Sequence, residues 1–333
     1  MRKTRVAVIG VGVMGQYHSN IYASLPQTEL VAVVDPCLDR RVKLETDYNI
    51  NSYENHIELL NNENIDAVSL AAPTSKHFEI ALDVMNARKH LLIEKPITAN
   101  VEEAKTLIAL SKQNNLVLQV GHITRFYKAV RLLKEKVTAP YLIEAKRLSR
   151  NGRIVDVGVI LDLMIHDIDI VLGLIDSKVK SMTVSGHSLH QPGIEDVASA
   201  HVVFEDGCIA NFLASRVATD IDRSLIISEK TQTFQLDFSQ PPFTELRIQR
   251  TIQDDFGVNH IQADIRKIHE QNPLKEEISH FLDRIRDNIA PIGTTNDDLR
   301  SLELASKMLK LLEFDQAKTN FKQDKANGAN NVN

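Results

Sequence analysis

The feature that most constrains the fold is the glycine pattern Gly10, Gly12 and Gly15, which directly follows a short apolar run. A second apolar run ends in Asp35, twenty residues after the last of these glycines. This spacing is typical of a strand–helix–strand unit that binds a dinucleotide. The first glycine permits a tight turn, the second lets backbone approach a diphosphate, and the third lets the helix pack closely on the strand.

The ends of this unit predict which dinucleotide is bound. The helix after the glycines starts with free backbone N–H groups, and its dipole favours an anion there. A carboxylate at Asp35 accepts hydrogen bonds from ribose hydroxyls and repels a 2′-phosphate, so the pattern favours NAD over NADP. The alternative is that the glycines form only a tight turn and Asp35 only begins a loop.

Length and charge limit the other classes of function. A chain of 333 residues is long enough for two domains that each bury a core. The net charge of −5 gives no basic surface for nucleic acid or an anionic membrane. The cysteines, Cys37 and Cys208, have no metal-ligand spacing, so we expect no metal site and a cytoplasmic location. No continuous apolar run approaches the roughly twenty residues of a membrane-spanning helix.

The hydropathy pattern changes near Gly121. Before it, apolar strands alternate with helical segments over short connections, which predicts a doubly wound parallel sheet in a domain of residues 1–121. After it, one strongly apolar helix is followed by a run of strands typical of an open antiparallel or mixed sheet, in a second domain of residues 122–317. Residues 318–333 are rich in Asn, Lys and Gly and are predicted to form a disordered tail.

Two loops at predicted strand ends belong to the same ligand-binding edge, because ligands bind at the carboxyl ends of parallel strands. Pro73 breaks the third strand, and Glu94-Lys95-Pro96 ends the fourth, where proline holds Lys95 in an extended conformation and permits a cis bond. The alternative is a solvated Lys95 at an ordinary strand end. The predicted cofactor-binding residues are Gly10, Gly12, Val13, Met14, Gly15, Asp35, Ala72, Pro73, Thr74, His77, Glu94 and Lys95.

The apolar segment 155–175 carries a second candidate group. Asp162, His166 and Asp169 lie at i, i+4 and i+7 and therefore share one stripe of a predicted helix. Burying a carboxylate or an imidazole is unfavourable unless the group is paired or used, so the stripe requires mutual hydrogen bonds or a ligand. A satisfied polar network without a catalytic role is the alternative. Asp167 lies off the stripe, which indicates a structural or surface position.

Arginines flank the same segment at Arg125, Arg147, Arg150 and Arg153. The guanidinium fork suits a carboxylate or a phosphate, so an anionic substrate is one interpretation and a solvated charged loop is the other.

Taken together, these motifs resemble a known family. The GVGVMG segment, Asp35, Glu94-Lys95-Pro96 and the helix LDLMIHDID, residues 161–169, resemble the Gfo/Idh/MocA family of oxidoreductases, named for glucose–fructose oxidoreductase, inositol dehydrogenase and rhizopine catabolism. The resemblance implies an N-terminal Rossmann domain and a C-terminal α+β domain built on a large, mostly antiparallel sheet. It also implies dimers or tetramers formed through that sheet.

Two segments, GHITRF at 121–126 and RNGRIVDVGVILDLMIHDID at 150–169, most resemble the branch that oxidises C3 of UDP-N-acetylglucosamine. The resemblance implies a 3-keto sugar that an aminotransferase converts on the way to a 2,3-diamino sugar. Tyr127-Lys128 stands where that branch has Asn-Pro, which leaves open a related uronic acid, or inositol and other polyols.

For such a reaction the residues suggest distinct roles. Lys95 suits the stabilisation of developing alkoxide, and His166 suits proton acceptance because imidazole titrates near neutrality. Asp162 would orient His166 or bind a hydroxyl, and the reverse division between Lys95 and His166 stays open. The predicted catalytic residues are Lys95, His166 and Asp162. The predicted substrate-binding residues are Lys95, Arg125, Arg147, Arg153, Asp162, His166 and Asp169, with Arg147 and Arg153 placed on the diphosphate.

Two other classes of function remain open. A non-catalytic NAD-binding sensor is possible, because a fold alone does not ensure chemistry. Schiff-base catalysis through Lys95 would leave the dinucleotide pattern without a purpose. The titratable stripe argues against the sensor.

Overall fold

The computed structural model describes residues 2–150, 156–254, 256 and 259–329, with side chains described as far as Leu312. The strands are β1 Thr4–Ile9, β2 Thr28–Val34, β3 Asn51–Tyr53, β4 Ala67–Leu70, β5 His90–Glu94, β6 Leu118–Gly121, β7 Leu142–Leu148, β8 Val179–His187, β9 Val197–Phe204, β10 Ile209–Ser215, β11 Asp222–Ser228, β12 Gln232–Gln240, β13 Phe243–Gln253 and β14 Asn259–His269.

The helices are α1 Val13–Ser24, α2 Leu38–Tyr48, α3 His56–Asn62, α4 His77–Asn86, α5 Val101–Gln113, α6 Lys128–Lys136, α7 Ile165–Leu172, α8 Pro273–Asp287 and α9 Thr295–Ala329. Short 3-10 turns lie at Thr74–Lys76 and Ile123–Phe126, and a π-helical turn, Ile160–Met164, leads directly into α7.

The first unit contains a six-stranded parallel sheet in the order β3-β2-β1-β4-β5-β6. Its central strands are buried along their length, as expected where helices cover both faces of a sheet. Strand order reverses between β1 and β4, so the loops after these strands flank the crevice where doubly wound sheets bind ligands. The predicted doubly wound parallel sheet is confirmed.

The second unit contains an eight-stranded sheet in the order β14-β13-β12-β11-β7-β10-β9-β8. Adjacent strands are antiparallel except β7 and β10, which run parallel. Gly207, at φ +91°, lies in the turn between β9 and β10. The predicted mostly antiparallel C-terminal sheet is confirmed.

The chain divides into compact units at positions that differ from the predicted boundaries of 121 and 122–317. One unit comprises Met1–Val130 with Gln271–Leu302, and the other Arg131–Glu270 with Glu303–Asn333. The difference arises because α8 contributes Ile278 and Phe281 to the core beneath α1. A hydrophobic pattern shows that a helix has a buried face but does not show which sheet receives it.

Several elements differ from the sequence expectations. Strand β3 and helix α3 are not predicted, so the strands that end before Pro73 and at Glu94 are the fourth and fifth of the chain. Strand β14 is not predicted, because its outer residues are exposed and its pattern lacks a buried face. Helix α9 continues through residues 318–329, where a disordered tail is predicted, and residues 330–333 lie outside the described range. Lys, Gln, Asp and Ala in that stretch are compatible with a helix, although they supply no apolar face.

Candidate active site

The glycine loop between β1 and α1 is shaped by backbone contacts rather than by side chains. Gly10 has φ +82°, and a Cβ there would lie 2.5 Å from the Ala72 nitrogen. A Cβ on Gly15 would lie within 2 Å of the Gly10 carbonyl oxygen, so α1 packs against the loop as the pattern predicts. Both positions therefore require glycine.

Gly12 differs from its two neighbours in the pattern. A Cβ there would meet no described atom within 4 Å, so the backbone faces open space. Gly12 is also the N-cap of α1, and no described side chain caps the helix through a hydrogen bond. Free N–H groups, a helix dipole and an open approach are the conditions under which a diphosphate binds to backbone.

Asp35 follows β2 and is buried, at 4% exposure. Its carboxylate accepts hydrogen bonds from the backbone N–H of Val11 (Oδ2, 2.9 Å) and of Cys37 (Oδ1, 2.9 Å). Each oxygen keeps a further lone pair for a ribose hydroxyl. Asp35 thus braces the glycine loop while it presents a negative charge at the end of β2.

The loop after β4 is tied to the loop after β5 by His77. Its Nδ1 lies 2.9 Å from the Pro96 carbonyl oxygen and its Nε2 lies 2.9 Å from the Ala72 carbonyl oxygen. Only a doubly protonated ring donates to both carbonyls. The peptide bond between Lys95 and Pro96 is cis. His77 is buried and acts as a brace, and its predicted contact with NAD stays a prediction.

Glu94 ends β5, and its carboxylate contacts the ring of a histidine from α1. His18 Nε2 lies 3.0 Å from Glu94 Oε1, and His18 Nδ1 lies 2.6 Å from the Ser69 hydroxyl on β4. Burial raises the pKa of Glu94, but the hydrogen bond and charge of His18 and the charges of Lys95 and His77 outweigh it. The net pKa of Glu94 is below its usual value, so the carboxylate is ionised at neutral pH.

A second carboxyl, that of Glu277 on α8, interacts electrostatically with Glu94. It is fully buried, and neither carboxyl oxygen has a hydrogen-bond partner among the described residues. Burial, with the charge of Glu94 adding to it, raises the pKa of Glu277 well above its usual value. The surroundings of the two carboxyls therefore favour opposite states, the ionised form for Glu94 and the protonated form for Glu277.

The second unit holds the helical segment that carries the predicted stripe. The structure adds a π-helical turn before α7, and Ile165 N–H reaches the Ile160 carbonyl five residues back. Asp162 lies in the π-helical turn and His166 in the first turn of α7, and both are half-buried, whereas Asp169 is buried. The regular i, i+4, i+7 spacing is therefore interrupted, and π turns frequently mark functional sites.

Asp167, predicted to be structural or at the surface, is buried and pairs with Arg147 on β7. Arg147 Nε and Nη2 donate to the two carboxylate oxygens of Asp167 at 3.0 and 2.6 Å. Burial raises the pKa of Asp167, and the Arg147 guanidinium opposes that rise. This fork-to-fork pair gives Arg147 a structural partner, which argues against its predicted placement on a diphosphate.

The other predicted arginines have different outcomes. Arg125 is buried in the first unit, where its Nη1 lies 2.8 Å from Asp298 Oδ1. Arg150 is exposed and pairs with Asp220 at 3.1 Å. Arg153 lies outside the described residues. The structure thus brings none of the described arginines into an unpaired anion-binding group.

Sequence reasoning missed His18, Ser69 and Glu277. His18 lies three residues after Gly15, on the buried face of α1. A titratable residue on a buried helix face is a signal that can be read from the sequence. Glu277 could not be found in this way, because its neighbours come from the other end of the chain.

The geometry of the first unit fits a dinucleotide. The open space at Gly12 allows a diphosphate to approach the protein backbone, and the carboxylate of Asp35 can accept hydrogen bonds from ribose hydroxyls. Within the described residues, no group of three or more His, Cys, Asp or Glu side chains could hold a metal ion.

Comparison with known families decides the class. Residues 4–122 match the model of the oxidoreductase family with an NAD-binding Rossmann fold, and residues 138–234 match the GFO/IDH/MocA C-terminal domain. The chain belongs to the GFO/IDH/MocA family. It is an NAD-dependent oxidoreductase, which confirms the resemblance and the NAD cofactor inferred from its motifs.

Individual family members are similar over most of their length. UDP-N-acetylglucosamine 3-dehydrogenase from Acidithiobacillus ferrooxidans is 34% identical over 284 residues, covering 84% of this chain and 88% of that protein. A solved structure of that enzyme superposes with a TM-score of 0.83 at 30% identity, covering 94% of this chain and 99% of the other.

An inositol dehydrogenase is also similar. scyllo-Inositol 2-dehydrogenase (NAD(+)) from Bacillus subtilis is 28% identical over 325 residues, covering 91% of this chain and 92% of that protein. None of the described helices is long and apolar enough to span a membrane.

Proposed function

We propose that this oxidoreductase acts on a sugar CH–OH group and oxidises C3 of UDP-N-acetylglucosamine to the 3-keto sugar. The observation that carries the proposal is the similarity to the Acidithiobacillus enzyme, which extends through both units at a TM-score of 0.83. That enzyme is 34% identical to this chain, against 28% for the Bacillus subtilis inositol dehydrogenase.

Lys95 and His166 divide the chemistry at the sugar hydroxyl. Bound NAD supplies the hydride acceptor. As the C3 hydroxyl oxygen gains negative charge, the Lys95 ammonium donates a hydrogen bond to it. His166 takes the hydroxyl proton, so the alcohol loses one proton and one hydride and becomes a ketone. Asp162 orients the imidazole or binds a neighbouring hydroxyl.

The cofactor-binding residues hold the dinucleotide at the carboxyl edge of the parallel sheet. Val13, Met14 and Gly15 offer backbone N–H groups to the diphosphate, and Asp35 accepts from the ribose. Ala72, Pro73 and Thr74 line the same edge after β4. Asp35 also makes NADP a poor substitute, because its charge repels a 2′-phosphate.

The direct test is to incubate the purified protein with NAD and a panel of nucleotide sugars, free hexoses and inositols, and to follow absorbance of the reduced cofactor. We expect reduction with UDP-N-acetylglucosamine at a kcat/KM far above that with any other member of the panel. If only inositols or free hexoses respond, the nucleotide-sugar assignment is wrong and the family assignment stands.

A second candidate function is oxidation of inositol or another polyol. The 28% identity to the Bacillus subtilis inositol dehydrogenase over 91% of this chain favours it. The corresponding nucleotide-linked uronic acid is a third substrate, and it differs from the first by one carboxylate. Including both compounds in the panel separates these candidates by kcat/KM. A protein that binds NAD but reduces it with no alcohol would instead be a sensor.

The proposed product suggests an association with other proteins. A 3-keto nucleotide sugar is the substrate class of an aminotransferase, so we infer that such an enzyme follows in the cytoplasm. Self-association through the C-terminal sheet is supported by exposed Ile261 and Ile265 on β14, at 74% and 54% exposure. Light scattering of Ile261→Lys with Ile265→Lys should report smaller particles than the dimer or tetramer expected of the unchanged protein.

A further inference from the structure

His18 reaches from α1 to the ends of two strands that the proposed chemistry uses. Its ring is fully buried, with Nδ1 at 2.6 Å from the Ser69 hydroxyl and Nε2 at 3.0 Å from Glu94 Oε1. Both ring nitrogens are thus occupied by protein groups, and the imidazole has no open position for a substrate. Its position is fixed by the close packing of α1 that Gly15 permits.

The proton arrangement follows from the partners. An ionised Glu94 carboxylate only accepts hydrogen bonds, so Nε2 carries a hydrogen and donates to it. Nδ1 is bonded to the Ser69 hydroxyl, which can act either as donor or as acceptor in that bond. Both ring nitrogens of His18 therefore have a polar partner, as buried polar groups require.

The carboxylate is further confined on its other side. A Cβ on Gly121 would lie 3.1 Å from Glu94 Oε2, so the second oxygen packs against the backbone of β6. The charged groups that act on Glu94 are His18 from α1, His77 from α4 and Lys95, the next residue in the chain. The charge of Glu94 in turn acts on Glu277 from α8. Of these, His18 makes the direct hydrogen bond.

We propose that His18 is a positioning residue of this enzyme, which holds the Glu94 carboxylate in place and ionised so that its charge fixes the ammonium of Lys95. The proposal rests on the proposed function insofar as Lys95 is catalytic. Without His18, the buried Glu94 carboxyl takes up a proton and Lys95 loses its negative neighbour. The residue acts through Glu94 and does not touch the reacting atoms.

The test uses two substitutions of His18 and one of its partner Glu94. His18→Leu removes both hydrogen bonds, and His18→Gln keeps a non-titrating N–H donor toward Glu94. We expect kcat in His18→Leu to fall by roughly tenfold or more, with the acid limb of its pH profile moved to higher pH. His18→Gln should restore most of the rate and return the limb to its original position.

Glu94→Gln supplies the matched control. If His18 acts through Glu94, adding His18→Leu to Glu94→Gln causes no further loss of kcat and no further change in the pH profile. Additive losses would overturn the proposal. So would a His18→Leu protein with an unchanged pH profile, and equal losses in His18→Leu and His18→Gln would show that packing alone is required.

A readout without turnover separates this proposal from the proposed function. The infrared difference spectrum between a protein and its Glu94→Gln variant reports the ionisation of that one carboxyl. At neutral pH we expect an ionised band in the unchanged background and a protonated band in His18→Leu. An ionised band in both would overturn the proposal. If the ionisation of Glu94 depends on His18 but the protein oxidises no sugar, the role of His18 is supported and the catalytic assignment is refuted.

Discussion

The two units use buried charge in opposite ways. Around Glu94, the first unit favours an ionised carboxylate beside His18 and the adjacent Lys95, and it favours the protonated form of a second carboxyl, Glu277. Around α7, the second unit pairs a buried carboxylate, Asp167, with the guanidinium of Arg147. Two buried carboxyls with different pKa values can change the pKa of a neighbouring reacting group. A buried ion pair instead joins two secondary-structure elements.

The largest effect should come from removing the proposed reacting groups. We expect Lys95→Ala and His166→Ala each to lower kcat by about a hundred- to ten-thousandfold, as loss of a charge stabiliser or a general base does. The affinity for NAD, measured by isothermal titration, should change little in His166→Ala. Near-normal rates in both variants would show that neither Lys95 nor His166 is catalytic.

The ion pair of the second unit should matter for stability rather than for substrate binding. Arg147→Ala removes the hydrogen-bonded partner of the buried Asp167 and leaves the charge of Arg223 acting on it. We therefore expect a loss of about 3 kcal/mol in the free energy of unfolding. The double substitution Arg147→Met with Asp167→Leu should recover most of this in urea denaturation. A stable Arg147→Ala protein with a raised KM for the nucleotide sugar would place Arg147 on the substrate instead.

The glycine pattern offers a matched pair within the first unit. Gly15→Ala forces a methyl group onto the Gly10 carbonyl oxygen and should cost about 1–3 kcal/mol in unfolding free energy. Gly12→Ala meets open space, so its stability should stay within about 0.5 kcal/mol. Its NAD affinity should nevertheless fall, because the methyl fills the diphosphate position. Equal NAD affinity in Gly12→Ala and the unchanged protein would contradict this placement.

The smallest effect concerns Glu277. Its pKa is raised in the folded protein, so the folded state keeps a proton that the unfolded state releases, and its contribution to stability falls as pH rises above about 4.5. Glu277→Gln removes this dependence. We expect the melting temperature of Glu277→Gln, relative to that of the unchanged protein, to increase as the pH rises from 5 to about 8. The exposed control Glu102→Gln should show a constant difference across that range.

The two regions also differ in how much the sequence predicts. The glycine loop, Asp35 and the strand end at Lys95 follow from local patterns, because each depends on residues that are neighbours in the chain. The partner of Arg147 does not, since Asp167 is twenty residues away and its orientation depends on a π-helical turn. The interaction of Glu94 with Glu277 arises because α8, late in the sequence, belongs to the first unit. A local sequence pattern does not predict this placement.

In the proposed reaction, this enzyme removes the hydride at C3 of a UDP-linked N-acetyl sugar. The most direct measurement uses UDP-N-acetylglucosamine deuterated at C3 and detects the label in the reduced cofactor by mass spectrometry. We predict that deuterium appears in NADH, that its formation is slower than with unlabelled substrate, and that Lys95→Ala greatly reduces the label transferred per unit time. Reduced cofactor without deuterium, or none formed at all, would contradict the account.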